Sequence, residues 1–578
     1  MYVRRLFIHS HKIAQRGLLL AGAAAVMGVL LQPSLAQLTG LSNPSIMERA
    51  LEEPKAPRKA PPAPITLQEG SVAPEGADAI RFTLQGLKIR GGTLFDTNQM
   101  LGLDMPVTGT NISVADIYNF ADMITQLYRE EGYALSFALV PTQEIADGTV
   151  TIEIIEGHIV ELEIKERNLS DLVRKHILNA FARFAAKGIT RTDDLEEFLL
   201  SVNDYPGISA RGIVSPGDET GKANLILEVE QMRDEANFGY QNYLSESLGR
   251  DVFSAEYAMF GQWSGRDEAR IAVRQAPDPL TYRSASFDYS SYIDDTNIEV
   301  YFRASESSTK PEKGALADLN FTSSATSQQI GLRFPLWRQR KSSFYLGAFA
   351  TINDSLSQNN TAILTNDKVR TANIYADYEI DLPSGGSHLL HFELEAGVET
   401  FQARANSREG AHLNHGLLRI SERYRQPLLP FEKGQLDATF RLFAQVSLNN
   451  KPAFSNAECS FGGRSFGVGM DAGTLSGENC ALASLQLNWQ RAITGSDYIP
   501  DSLFTLLGRL DAGTVRQTGT LVAGEERQQE AISAAMGAQF VMENGLIVNL
   551  EQATQLKNED EPEKEGESTT NISVNMRF

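Results

Sequence analysis

NISVNMRF, residues 571–578, places Ile572, Val574, Met576 and Phe578 on one side of an extended chain and polar side chains on the other. Successive side chains of a β-strand point to opposite faces, so this alternation predicts a strand with one apolar face. Segments with the same alternation recur through the second half of the chain, at 235–243, 251–262, 267–276, 281–290, 296–304, 326–337, 342–352, 370–381, 389–401, 413–426, 434–448, 482–492, 503–511, 530–541, 545–556 and 570–578.

These segments number sixteen, and their lengths suit the strands of about 9–11 residues that cross an outer membrane in a closed barrel. Bacterial barrels of this kind have an even number of antiparallel strands. The pattern therefore predicts a sixteen-stranded barrel over residues 232–578. A β-sandwich outside a membrane is the alternative that the pattern leaves open.

The composition of the chain restricts its partners. Its 578 residues carry a formal net charge of -21, whereas a nucleic-acid-binding protein normally has a basic surface, so we expect no nucleic-acid partner. The chain has 2 cysteines, Cys459 and Cys480, which are too few for a disulfide-built scaffold or a thiolate metal site. Their spacing is compatible with one disulfide or with two separate thiols.

The N-terminus has the pattern of an export signal. Basic residues precede an apolar run at 17–31, and small residues follow at the two positions that a signal peptidase inspects. We expect residues 1–36 to be a cleaved signal peptide that leads to a compartment in which disulfides form. Residues 37–78 are rich in Pro and Ala, and we interpret them as an extended tether with a possible short helix at 44–53.

Two consecutive units of similar order precede the predicted barrel. The first, residues 79–157, is predicted to contain one uninterrupted strand, a short helix at 97–101, a helix capped by Ser113, and two strands. The second, residues 158–231, is predicted to contain a strand, two helices of which the second is capped by Thr192, and two strands. Each unit is therefore predicted to be a small α+β module.

Three stretches resemble one protein family. GYALSFALVPTQEIADGTVTIEIIEGHI, residues 132–159, resembles the first POTRA module of two-partner secretion transporters, the haemolysin and haemagglutinin secretion–activation proteins of bacterial outer membranes. NFGYQNYLSESLGR (237–250) is similar to the start of their barrel, and FGGRSFGVGMDAGTLSGENCALASLQL (461–487) resembles their most characteristic loop. The resemblance covers essentially all of residues 79–578. It implies a mainly β fold, in which a sixteen-stranded antiparallel transmembrane β-barrel follows two α+β POTRA modules.

The resemblance also implies a function. Transporters of this family capture an unfolded partner exoprotein in the periplasm through their POTRA modules and secrete it through the barrel without nucleotide hydrolysis. The implied location is the outer membrane of a Gram-negative-type bacterium, with outer-membrane lipid around the barrel and the POTRA modules in the periplasm. The strand that ends at Phe578 resembles the insertion signal that the barrel-assembly machinery reads. The alternative is a barrel-assembly factor of the same superfamily, although such factors commonly carry more POTRA modules.

The residues do not predict an enzyme, a cofactor or a metal site. The run from Gly467 to Ala472 satisfies a dinucleotide-binding fingerprint, but the glycine-rich residues after it cannot start the helix that such a site requires. Two histidine pairs, His388 with His391 and His412 with His415, lie on or beside predicted strands, where a three-residue step places the side chains on opposite faces.

The resemblance gives the glycine-rich loop a specific role. If both barrel ends are periplasmic, residues 461–487 fall in the sixth outer loop, which in the family folds into the lumen. There an arginine of an Arg-Gly-aromatic motif pairs with an acidic residue of the thirteenth strand. Aligning Gly462, Gly463 and Asp471 places Val468 at the arginine position, with Gly469 retained and Met470 in place of the aromatic residue, and it makes Asp511 the wall carboxylate.

Two arginines could replace the missing one. Arg509 precedes Asp511 by two residues, so both side chains share the lumen face at about 6.6–7 Å of backbone separation. Arg464 could reach Asp511 from the loop. We expect Arg464 to tether the loop and Arg509 only to neutralise the wall, with a disulfide between Cys459 and Cys480 limiting how far the loop moves. Solvation of Asp511 by lumen water is the alternative.

Overall fold

The computed structural model describes residues 43–45, 47, 72–96, 106–145, 147–293, 296–406, 410–449, 452, 454–495, 500–518, 521 and 526–578. The predicted signal peptide and the short helix predicted at 97–101 lie outside these residues. Of the helix predicted at 44–53, Pro44, Ser45 and Met47 are described, and all three are helical. Within the described part of the chain, none of the helices combines the length and apolarity that a membrane-crossing helix requires.

The first module contains two small sheets and one long helix. Its elements are β1 (Arg81–Thr83), β2 (Gly86–Gly91), β3 (Asn111–Ser113), α1 (Val114–Glu130), β4 (Phe137–Leu139) and β5 (Thr149–Ile155). Strand β2 runs parallel to β5, which pairs antiparallel with β4, whereas β1 pairs with β3 in a separate sheet. The prediction of one uninterrupted first strand is therefore wrong, because the chain changes sheets between β1 and β2.

Helix α1 begins at a capping box. The backbone N–H of Asp116 donates to Ser113 Oγ at 3.2 Å, and the backbone N–H of Ser113 donates to Asp116 Oδ2 at 2.7 Å. That backbone bond, and then the Ser113 hydroxyl, hold the pKa of Asp116 below its ordinary value. Ile117, Phe120 and Ile124 follow at helical spacing and are buried in the module core.

The second module repeats the arrangement with two helices. Its elements are β6 (His158–Arg167), α2 (Asp171–Ala185), α3 (Thr192–Asn203), β7 (Ile208–Pro216) and β8 (Lys222–Gln231). Strand β6 runs parallel to β8, which pairs antiparallel with β7, so the sheet order matches that of the first module. Ser170 caps α2, but the cap of α3 is Arg191, and Thr192 is already helical. The predicted Thr192 cap is therefore wrong by one residue.

Sixteen antiparallel strands then form a closed barrel, as the alternation predicts, and every predicted segment overlaps one barrel strand in order. The first eight are β9 (Asp234–Gln241), β10 (Val252–Phe260), β11 (Asp267–Gln275), β12 (Tyr282–Tyr292), β13 (Glu299–Thr309), β14 (Thr322–Arg338), β15 (Ser342–Gln358) and β16 (Ile363–Asp381), with the short helix α4 (Ala315–Asp318) before β14. The other eight barrel strands are β17 (Ser387–Gly397), β18 (Gly416–Phe431), β19 (Gly434–Ser447), β22 (Asn479–Ile493), β23 (Ser502–Arg516), β24 (Gln528–Met542), β25 (Leu546–Asn558) and β26 (Ser568–Arg577). Between β19 and β22, the short strands β20 (Cys459–Phe461) and β21 (Leu475–Gly477) form a separate sheet.

The two faces of the barrel wall differ in polarity. On β22, Leu485 and Leu487 are 48% and 47% exposed on the outer face, whereas Ser484 and Asn488 are buried on the lumen face. This alternation suits lipid outside and water or polar groups inside. The period of two that predicts the strands therefore also separates the lipid face from the lumen face.

The barrel closes between β26 and β9. Five residue pairs join the two strands, and the side chain of Asn242 extends the pairing: its Nδ2 donates to the carbonyl of Thr570 at 2.9 Å, and the N–H of Ile572 donates to its Oδ1 at 2.6 Å. At the other end of the seam, the N–H of Phe578 donates to the carbonyl of Ala236 at 2.9 Å. Phe578 thus contributes directly to barrel closure.

Module two packs against one end of the barrel. Arg338, at the end of β14, donates to Asp204 with an Nη2–Oδ1 distance of 3.0 Å. The guanidinium of Arg266, between β10 and β11, lies 4.5 Å from the ring centre of Tyr205 and 4.6 Å from that of Tyr292. Both contacts involve connections after even-numbered barrel strands, so the loop after the eleventh strand lies at the opposite end.

We predict that Ser113→Ala lowers the stability of α1 by about 1 kcal/mol, because it removes one half of the capping box. Hydrogen exchange of the full chain should then become faster in the first turn of α1. Thr192→Ala is the matched control, because α3 has no side-chain cap hydrogen bond. Equal acceleration at the two helix starts would contradict the assignment of the caps.

Candidate functional site: the loop inside the barrel lumen

The connection between β19 and β22 enters the lumen as a constrained loop. Its strands β20 and β21 pair antiparallel, and Cys459 and Cys480 are joined by a disulfide with a Cα–Cα distance of 6.4 Å. At the turn after β20, Gly462 has a φ of 118°, and a Cβ there would overlap the carbonyl oxygen of Asp471. Gly463, with a φ of 92°, also requires glycine geometry. These residues form a compact unit, which we call the lumen loop (residues 459–480).

The lumen loop meets the barrel wall at Asp511. This carboxylate on β23 is completely buried, and its Oδ2 accepts hydrogen bonds from the backbone N–H groups of Gly467 at 2.9 Å and Val468 at 3.1 Å. Its Oδ1 accepts a hydrogen bond from Arg509 Nε at 2.8 Å. Val468, which stands at the arginine position of the family motif, therefore contacts the wall carboxylate Asp511 through its main chain.

Arg509 connects the wall to the loop. Besides its bond to Asp511, it donates from Nη1 to the carbonyl of Arg464 at 2.9 Å and from Nη2 to the carbonyl of Ser465 at 2.6 Å. One guanidinium thus satisfies a buried carboxylate and two loop carbonyls, and such charge-assisted bonds are stronger than neutral ones.

The expected tether from Arg464 to Asp511 is wrong. The Nη1 of Arg464 instead donates to Gln241 Oε1 at 3.3 Å, and its guanidinium lies 5.3 Å from the ring centre of Tyr243. The reason is the course of the loop backbone, which turns the carbonyl of Arg464 toward Arg509 and presents the next N–H groups along the loop to Asp511. The side chain of Arg464 is thereby directed toward the first barrel strand.

The tip of the lumen loop packs closely on β25. Val468 is fully buried in an apolar cluster that includes Met47 and Tyr243, so a residue of the predicted tether shares a core with the loop. Gly469 has a φ of 95°, and a Cβ there would lie 2.8 Å from the Cβ of Ala553. Its carbonyl accepts a hydrogen bond from Gln555 Nε2 at 3.1 Å. The close approach of Gly469 to Ala553 therefore explains why this position of the family motif is still glycine.

The far side of the lumen loop contacts the first outer connection, residues 242–251. The backbone N–H of Glu246 donates to Asp471 Oδ2 at 3.2 Å, and Arg250 Nη2 lies 3.4 Å from Asp471 Oδ1. Burial raises the pKa of Asp471 above its ordinary value, and the charge of Arg250 opposes that shift. Asp471 thus links two outer connections, a role that the sequence does not reveal.

A polar cavity of about 900 Å³ occupies the lumen beside the loop. Its wall includes Glu256 and Arg270, which form an ion pair, and Arg303, whose Nε lies 3.7 Å from Asp288 Oδ1. Arg464 of the lumen loop forms part of the boundary. A displaced lumen loop would therefore move into, or connect with, a cavity that is already polar.

The residues considered for other chemistry have ordinary neighbours. His388 pairs with Glu422 at 2.9 Å, whereas His391 pairs with Asp377 at 2.7 Å in the lumen, so the two rings serve separate contacts. The run that matches the dinucleotide fingerprint is followed by strand β21 rather than by a helix.

Two contacts at or beside the lumen loop are not predicted from the sequence. Tyr243 donates its hydroxyl to Glu551 at 2.9 Å, and the guanidinium of Arg441 lies 5.6 Å from the ring centre of Phe466. Strand alternation places Glu551 and Arg441 on the lumen face, so the sequence contains a signal for their orientation. It contains none for their partners, because the loop joins residues that are far apart in the chain.

The fold and the lumen loop define an outer-membrane barrel of the class that carries POTRA modules. A family model described as haemolysin secretion/activation protein ShlB/FhaC/HecB matches residues 223–540, and one described as POTRA domain, ShlB-type, matches residues 82–157. The first match covers more than half of the chain. The chain therefore belongs to the haemolysin secretion/activation protein family, the two-partner secretion transporters of the outer membrane.

Individual relatives are more distant. The chain is 26% identical over 279 residues to the heme/hemopexin transporter protein HuxB of Haemophilus influenzae (strain ATCC 51907 / DSM 11121 / KW20 / Rd), an alignment that covers 47% of this chain and 49% of that protein. It is 22% identical over 165 residues to the outer membrane transporter CdiB of Escherichia coli O6:K15:H31 (strain 536 / UPEC), which covers 28% of this chain and 27% of that protein. The chain thus spans about half the length, or less, of these curated relatives.

Solved structures show the same fold. CdiB from Escherichia coli superposes with a TM-score of 0.69 at 16% identity, covering 89% of this chain and 94% of that chain. CdiB from Acinetobacter baumannii superposes with a TM-score of 0.60 at 15% identity, covering 86% of this chain and 90% of that chain.

We predict that Arg509→Gln loosens the lumen loop more than Arg464→Gln does, because Arg509 holds Asp511 and two loop carbonyls together. Single-channel recordings of the purified protein should show more frequent openings for Arg509→Gln and nearly unchanged currents for Arg464→Gln. Adding Asp511→Asn to Arg509→Gln should have little further effect, since both changes remove one shared contact. Equal effects of the two arginine substitutions would refute this role.

The disulfide gives a separate prediction. Thiol labelling of the denatured, unreduced protein should modify neither cysteine, and labelling after reduction should modify Cys459 and Cys480. On the chain-entropy model, closing this ring restricts the unfolded loop by roughly 3 kcal/mol, so replacing both cysteines with serine should accelerate hydrogen exchange in residues 460–479. Exchange that remains unchanged would show that the noncovalent contacts alone hold the loop.

Proposed function

We propose that this chain captures an unfolded partner exoprotein in the periplasm through its POTRA modules and secretes it through the barrel to the cell surface, without nucleotide hydrolysis. Two features together support this proposal: the modules have sheet edges without a partner strand among the described residues, and a loop occupies the lumen of the barrel. The sequence also contains no P-loop pattern.

The sheet edges of the modules suit capture of an extended chain. Strand β6 spans ten residues and pairs with β8 along one side, and among the described residues no strand pairs with its other side. An unfolded polypeptide can add to such an edge through main-chain hydrogen bonds, which place little demand on its sequence. Val160 on β6 is 41% exposed and offers an apolar contact beside that edge.

The position of module two suits delivery into the barrel. Its contacts through Asp204 and Tyr205 hold it against the barrel end that is opposite the outer connections. The last residue of β6, Arg167, pairs with Glu230 near the end of β8, and the first barrel strand begins at Asp234. A chain bound along β6 would thus be delivered toward the barrel, where the lumen loop is the structure it must displace. Apart from the disulfide at its base, the contacts of the loop tip with the wall are noncovalent.

Deletion of residues 79–157 tests the proposed function. Strand β2 of the first module is also an edge strand, because among the described residues it pairs only with β5. If this edge takes part in capture together with that of β6, the deletion should remove the partner exoprotein from the medium and the cell surface, while the barrel still assembles and remains heat-modifiable on gels. Mass spectrometry of secreted proteins from matched strains provides the measurement. Normal secretion by the deletion strain would overturn the proposal, and a general loss of unrelated outer-membrane barrels would favour the alternative of an assembly factor.

Site-specific crosslinking refines the same test. A photoreactive probe on Glu163→Cys, whose native side chain is 61% exposed on β6, should capture the exoprotein during secretion. The matched control is Leu178→Cys on α2, because the native residue is exposed and lies away from the strand edge. Equal capture at the two positions would contradict strand addition at β6.

A further inference from the structure

Two arginines of the lumen face each other on neighbouring strands. Arg423 on β18 and Arg441 on β19 are direct register partners, and the alternation of both strands places their side chains on the lumen face. Like charges directly opposite each other destabilise an antiparallel pair. The stability of the barrel therefore does not explain why two arginines occupy these opposed positions.

Neighbouring arginines have carboxylate partners. Arg425 Nη2 lies 3.3 Å from Asp437 Oδ2, and Arg419 Nη1 lies 2.7 Å from Glu393 Oε1 and 2.8 Å from Glu395 Oε2. These acids are thus already engaged by other cations.

Arg423 and Arg441 differ from these neighbours. In the part of the chain that the structure describes, neither forms an ion pair with a carboxylate, and Arg441 instead donates to Ser484 Oγ at 3.1 Å and lies over the ring of Phe466 in the lumen loop. Both arginines are half-buried, so water in the lumen reaches them. Two accessible guanidinium groups that contact no carboxylate among the described residues form a site for an anion.

The arginine pair lies at the level of the loop anchor. Arg441 is the register partner of Ser484, and Ser484 is the register partner of Asp511. Arg441 therefore lies two strands from the carboxylate that holds the lumen loop. An anion bound there would compete with Phe466 for the guanidinium of Arg441.

We propose that Arg423 and Arg441 bind carboxylate side chains of the polypeptide in transit, and this inference rests on the proposed function. Side chains of directly opposed residues start about 4.5–5.5 Å apart, so two guanidinium forks can hold one carboxylate between them. An acidic segment of the exoprotein would supply a carboxylate in direct contact with both arginines, which the described part of the wall does not, and would reach Arg441 beside the lumen loop.

Binding of short, extended, glutamate-rich peptides to the purified full-length protein tests the site. Fluorescence anisotropy should show binding by the native protein that weakens about tenfold or more in the Arg423→Gln, Arg441→Gln double variant, because each lost charged hydrogen bond costs that much. The matched control is Arg274→Gln, a lumen arginine that lines the cavity on another part of the wall. It should leave peptide binding nearly unchanged, and each variant must remain heat-modifiable.

Undiminished peptide binding by the double variant, or an equal loss in Arg274→Gln, would overturn the site. Binding of inorganic phosphate without binding of the peptide would identify a small-anion site and would overturn the assignment to a polypeptide. The assay does not depend on secretion. Peptide binding that requires Arg423 and Arg441 in a chain that secretes nothing would therefore separate this inference from the proposed function.

Discussion

The closed state of the barrel depends on one buried carboxylate. Asp511 has no exposure to solvent, and an uncompensated charge at such a place would be costly. Two loop N–H groups and the guanidinium of Arg509 compensate it. The lumen loop thus stabilises the buried charge of Asp511, and the hydrogen bonds to Asp511 in turn fix the position of the loop.

Glycine and the disulfide make this arrangement geometrically possible. The positive φ values of Gly462 and Gly469, and the lack of room for a Cβ at either residue, allow the backbone to approach its neighbours closely. The bond between Cys459 and Cys480 joins the loop to the start of β22, so the loop tip belongs to a covalently closed ring. Movement of the tip must involve that ring.

Much of the fold follows from the sequence because strand alternation is local. A period of two identifies the sixteen barrel strands and places Asp511 and Arg509 on the lumen face, and the Ser113 cap is readable from neighbouring residues. The predicted tether from Arg464 is wrong because side-chain reach alone does not give the direction of the loop backbone. That direction depends on contacts between β23, β25 and the loop, which are distant in sequence.

Main-chain anchoring explains how the loop can be held where the family motif is changed. The backbone N–H of Val468 donates to Asp511. This donor does not depend on the side chain, so it remains although the valine lacks the guanidinium donors of the motif arginine. Hydrogen bonds to a charged group contribute about 1.5–3 kcal/mol each. If the loop were displaced, Asp511 and Arg509 would face the adjacent polar cavity, where solvation by water would reduce the net cost. A loop held by such exchangeable bonds can be displaced by binding of a polypeptide, and this exchange is the physical basis that we propose for transport without a nucleotide.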